Sequence, residues 1–92
     1  MTSTETSQTK AIALRAIDGA KCDLINDAKT VYSTPEMGFN EHKTAAYVQH
    51  RLQSLGFVVE TGIAMTGMKS VLRGAKPGPT IAVIAELDAL VV

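Results

Sequence analysis

The sequence predicts an α/β chain in which two helices are followed by three strands. Three observations carry that expectation. Apolar residues recur at helical spacing up to about residue 55, and beyond Gly56 the spacing changes to the short alternating runs of strands. The run Thr80-Ile81-Ala82-Val83-Ile84-Ala85 is almost wholly apolar, as a strand covered on both faces should be.

Residues 1 to 9 are rich in Ser and Thr and predict a terminus without fixed structure, leaving 10 to 92 as part of one domain. From Lys10 onward Ile17, Leu24, Ala28 and Val31 form one stripe, flanked by Leu14, Ile25 and Tyr32, which predicts a long amphipathic helix. Gly19 weakens its middle by about 1 kcal/mol relative to Ala, and Pro35 forbids continuation much past Ser33. Residues 34 to 39 read as a turn, with Asn40 as N-cap and Glu41 in the favourable first turn of the next helix.

That second helix, 41 to 55, has the stripe Ala45, Val48, Leu52 and Leu55. Gly56 stands where a left-handed C-cap is wanted, with Phe57 placed for the accompanying apolar contact. Residues 57 to 63 and 68 to 73 read as an antiparallel pair. Residues 74 to 79 form a turn whose Pro77 and Pro79 cannot join a ladder. The third strand, 80 to 85, belongs in the interior of a sheet, and this chain covers its apolar faces incompletely.

Composition excludes several functions. Nine Lys and Arg balance nine Asp and Glu, so no global charge draws the chain to nucleic acid or an anionic membrane. With 4% aromatic residues and no Trp, base-stacking platforms are not expected. The single cysteine, Cys22, leaves no internal disulfide and no Cys/His metal spacing, which fits a reducing compartment. The polar N-terminus lacks the order of a signal peptide, and no stretch approaches the roughly 18 apolar residues of a membrane span. A cytoplasmic protein is the expectation.

Glu86 and Asp88 are the residues that suggest chemistry. Two carboxylates two residues apart at the end of a strand point to one side, and in open α/β sheets the crevice beyond the strand ends is where ligands bind. On pattern alone Asp88 caps the turn that leaves the strand and Glu86 is a solvated carboxylate. His42 and His50 lie eight residues apart on the second helix. That is roughly 12 Å of rise, too far to share one ion, and they read as surface residues. Cys22 has no basic partner to activate it and reads as a packing residue. Gly62, Gly67, Gly74 and Gly78 match no phosphate-binding spacing and read as turn residues. Glu36 reads as solvent-exposed or bonded to backbone.

Several pieces taken in order carry a resemblance: Pro35-Glu36-Met37-Gly38-Phe39, Glu41-His42-Lys43-Thr44, the run from Leu55 to Ala64, Thr66-Gly67, the run from Gly74 to Thr80, and Glu86-Leu87-Asp88-Ala89-Leu90. From about residue 12 to 92 the chain resembles the zinc-type amidohydrolase and metallopeptidase family of aminoacylase, hippurate hydrolase, indole-acetyl-amino-acid hydrolases and aminobenzoyl-glutamate hydrolase. The resemblance implies the N-terminal part of a mixed-sheet catalytic domain whose acidic-x-Asp strand lies beside a dinuclear metal centre that hydrolyses an amide bond. In the peptidase branch a histidine ligand stands at the position of Glu86. The acidic residue here resembles the amidohydrolase branch, nearest the aminobenzoyl-glutamate hydrolases. Val91 departs from the proline of many relatives.

The family's Cys/His motif, catalytic glutamate and remaining ligands lie downstream of residue 92. The resemblance therefore implies a divalent metal, zinc or manganese, in the intact protein and none bound by this piece alone. It implies an N-acyl or N-aroyl amino acid as substrate, and Asp88 and Glu86 as groups that orient ligands and hold the water network; a homodimer is compatible with the intact enzyme. The apolar Leu90-Val91-Val92 suggests a truncated reading frame. The alternative, from another class, is a small non-catalytic α/β module serving interaction or structure.

Overall fold

A computed structural model describes residues 2 to 90. Its elements are three helices and one antiparallel strand pair, divided between two compact units that part after Ser33. The expected helix-then-strand order of a mixed α/β chain is present, with two strands in place of three.

The first unit holds α1 (Ser3–Gly19) and α2 (Lys21–Tyr32). Residues 3 to 9, expected without fixed structure, are the opening turns of α1. The reason is a reciprocal cap: the Thr2 hydroxyl accepts from the Glu5 N–H at 3.1 Å, while the Glu5 carboxylate accepts from the Thr2 N–H at 2.8 Å. Two N–H groups that a helix start leaves unpaired are thereby satisfied. The single long helix expected from Lys10 is interrupted at Ala20, directly after Gly19, the residue whose backbone entropy disfavours a helix interior. Ser33 ends α2 as expected before Pro35, its hydroxyl donating to the Lys29 carbonyl at 2.8 Å. Ile12, Leu14, Ile17, Leu24 and Ile25 remain substantially exposed, so the anticipated stripe has no cover here.

The second unit holds α3 (His42–Ser54), β1 (Val59–Ile63) and β2 (Gly67–Ser70), with α3 packed on the hairpin. Ala45, Val48 and Leu52 of the expected stripe are half-buried; Leu55 is exposed. The helix closes as the sequence predicts. The Phe57 N–H donates to the Leu52 carbonyl at 3.1 Å and the Gly56 N–H to that of Gln53 at 3.0 Å, with Gly56 at φ +93°: the paired bonds of a Schellman ending.

In the hairpin Val59 faces Ser70, Glu60 faces Lys69 and Ile63 faces Gly67, with an irregularity between Glu60 and Ile63 where Gly62 takes φ +75°. Gly67 is required by close approach, because a Cβ there would stand 2.5 Å from the Ile63 carbonyl oxygen. Glu60 and Lys69 pair across the strands at 3.4 Å.

The third strand is corrected by the structure. Residues 71 to 90 adopt no helix or strand, and Ile81, Val83 and Ile84 are 84%, 95% and 88% exposed. A strand exists through ladder bonds to a neighbour, and among the described residues none lies alongside this run. The interior position expected for it is thus absent here, while its uncovered apolar faces match the sequence reading. The departure noted at Val91 lies outside the described residues.

Candidate functional site

The candidate site is assembled at the start of α3. A turn brings the chain there: the Asn40 N–H donates to the Met37 carbonyl at 3.0 Å, with Phe39 in the left-handed region at φ 62°. The turn lays Glu36 over the helix end. One carboxylate oxygen, Oε1, accepts from the Thr44 N–H at 2.6 Å and the other, Oε2, from the Lys43 N–H at 3.2 Å. These N–H groups have no carbonyl partner inside the helix, and the positive end of the helix dipole favours an anion there. The Thr44 N–H, helped by the Thr44 hydroxyl and by the N–H and charge of Lys43, holds the Glu36 carboxyl below its ordinary pKa against the opposing effect of burial.

The expected N-cap, Asn40, gives way to Glu41, which makes no side-chain cap bond. The cap comes instead from outside the helix. Glu41 is only 8% exposed, and its Oε1 has no hydrogen-bond partner among the described residues. Thr44, 3% exposed, turns its hydroxyl to the Thr34 carbonyl at 3.3 Å, tying the turn to the helix a second time.

The segment carrying Glu86 and Asp88 reaches the same place. The Ala89 N–H donates to the Glu36 carbonyl at 2.7 Å. Along this segment Leu87 and Ala89 are half-buried while Glu86, Asp88 and Leu90 are exposed. That two-residue alternation leaves both carboxylates in solvent, and neither makes a hydrogen bond among the described residues. Among the described residues the turn-capping bond that pattern offered Asp88 is not formed.

His42 opens α3 and His50 sits two turns on, both exposed, and Cys22 is exposed on α2 rather than packed. Among the described residues no three His, Cys, Asp or Glu side chains come together to hold a metal ion. No helix there is long and apolar enough to cross a membrane. Sequence reasoning assigned Glu36 nothing beyond exposure or backbone bonding. Its partners are seven and eight residues on, outside the spacing of local capping motifs.

The chain is 35% identical over 82 residues to an N-acyl-L-amino acid amidohydrolase of Geobacillus stearothermophilus, covering 89% of this chain and 22% of that protein. It is 36% identical over 68 residues to thermostable carboxypeptidase 2 of Saccharolobus solfataricus, covering 73% and 17%. Over 60 residues it is 35% identical to hippurate hydrolase of Campylobacter jejuni, covering 65% and 16%. The chain spans about a fifth of the length of the curated relatives it matches. No protein-family model matches it, and no solved structure does. The relatives' names have hydrolysis in common, mostly of amides.

Proposed function

We propose that this chain forms part of a metal-dependent amidohydrolase that cleaves the amide bond of an N-acyl or N-aroyl amino acid. The observation that carries the reading is its similarity, over 89% of its length, to an N-acyl-L-amino acid amidohydrolase. Hippurate hydrolase among the relatives supports an acyl or aroyl amino acid as substrate. The acid at Glu86 supports the aminobenzoyl-glutamate-like branch.

Hydrolysis of an unactivated amide by bound metal needs several ligands, a base for the water and a group that polarises the carbonyl. The described residues do not form a ligand set. On this reading zinc or manganese in the intact protein is held by further ligands, and the chain alone is inactive. Asp88 and Glu86, open to solvent on one side of their segment, orient those groups.

The test follows free amino acid released from N-acetyl and N-benzoyl amino acids by the intact protein, before and after chelation, and by the 92-residue chain alone. Release that chelation abolishes and zinc or manganese restores is the expected result, with none from the chain alone. Release that survives exhaustive chelation overturns metal dependence, and absence of release from every such substrate overturns the reading.

A further inference from the structure

Glu36 is the residue at which two otherwise separate pieces of backbone meet. Its carboxylate holds the Lys43 and Thr44 N–H groups, and its own carbonyl holds the Ala89 N–H. We propose that Glu36 is a positioning residue for Asp88, fixing the segment from 86 to 90 against the start of α3 through these two opposed sets of bonds. The role of Asp88 rests on the amidohydrolase reading, whereas the tether does not.

The physical case is one of shared constraint. Segment 86 to 90 belongs to no helix or strand, so no ladder among the described residues holds Asp88 in place. The bond from Ala89 is one peptide unit from Asp88, and its acceptor is held only as firmly as Glu36 itself. The carboxylate supplies that hold. Its two bonds are charge-assisted, the stronger kind, and they end on a helix start whose Thr44 is buried and cross-tied to Thr34. The charged groups around the junction are Lys43, which attracts the carboxylate, and Glu41, Glu86 and Asp88, none of which makes these bonds. Loosening Glu36 frees Ala89 and, with it, Asp88. Misplacement of an orienting carboxylate by about 1 Å lowers turnover roughly 10- to 100-fold.

The experiment has two arms, both on the intact protein. Amide hydrogen exchange is compared in wild type, Glu36→Gln and Glu36→Ala. The expected result is exchange at Lys43, Thr44 and Ala89 accelerating together, by roughly tenfold or more. Ala89 bonds to a backbone carbonyl that survives both substitutions, so acceleration confined to Lys43 and Thr44 overturns the tether.

The second arm measures kcat and KM for an N-acyl amino acid. Glu36→Gln lowers kcat with KM held, and has little further effect in an Asp88→Asn background. Equal losses in both backgrounds identify a general destabiliser and overturn the positioning role. If the Glu36 variants do not fold, Ala89→Pro deletes the donor while sparing the helix cap. It reproduces the kcat loss if the inference holds, and wild-type kcat there overturns it. Wild type without turnover defeats the functional reading alone, since exchange still decides the tether.

Discussion

The two bonds that the Glu36 carboxylate accepts favour its ionised form, so its protonation is coupled to folding. Its folded pKa lies below the ordinary value of 4.5. Stability from this group is therefore fully present above that unfolded value and is lost as pH falls through the lower folded one. The pH dependence of unfolding below the ordinary carboxylate value should accordingly be shallower in Glu36→Gln than in wild type. Identical acid profiles for wild type and Glu36→Gln would show that the cap does not form in solution. Asp88 differs because its carboxylate is exposed and makes no hydrogen bond among the described residues. In the intact enzyme Asp88→Ala should lower turnover by roughly 10- to 100-fold at saturating metal. His42→Ala and His50→Ala, exposed on α3, should change stability by no more than about 0.5 kcal/mol and leave turnover near wild type. Collapse of turnover in either histidine variant with the fold intact would show that α3, and not the segment carrying Asp88, supplies the chemistry.

At the scale of elements, what was legible in the sequence was what is decided locally. The ending of α3 at Leu52, Gln53, Gly56 and Phe57 involves residues within one turn of each other, and the structure forms it as read. The antiparallel hairpin was equally legible from its glycine-bounded runs, although its strands are shorter than expected. The start of α1 was readable yet missed: Thr2-Ser3-Thr4-Glu5 has capping-box spacing, but Ser/Thr-rich composition outweighed it. Illegible features depend on distant partners. The helix cap from Glu36 crosses a turn, and the run from 80 to 85 needs a neighbour before its β propensity becomes a strand. The hairpin gives a direct check on close approach. In Gly67→Ala the new methyl meets the Ile63 carbonyl, so the strands must separate locally at a cost of about 1 to 3 kcal/mol. Loss of the cross-strand nuclear Overhauser contacts between Ile63 and residue 67 would report it, and their retention would refute the steric argument.

For the whole molecule, the decisive quantity is burial. Among the described residues no hydrophobic side chain is fully buried, while Leu72, Ile81, Val83, Ile84 and Leu90 are each at least four-fifths exposed. Burial of apolar surface is the main favourable contribution to folding, worth roughly 25 cal/mol for each Å² removed from water. The 92-residue chain by itself therefore gains little of it in the form described. Local devices remain: two helix caps, a Schellman ending and a hairpin. The apolar run from 80 to 85 combines β-favouring side chains, no charge and backbone groups unpaired among the described residues, the combination that templates pairing between copies. The isolated chain should therefore self-associate as its concentration rises, with extended β signal growing in parallel with particle mass. Val83→Lys should suppress this, because Val83 is 95% exposed and a charge there repels an in-register copy without disturbing α3 or the hairpin. Sedimentation and circular dichroism across a concentration series compare the two chains. A wild-type chain that stays monomeric and unfolds cooperatively at high concentration would mean that its apolar run finds cover within the chain itself, contrary to the exposure on which this prediction rests.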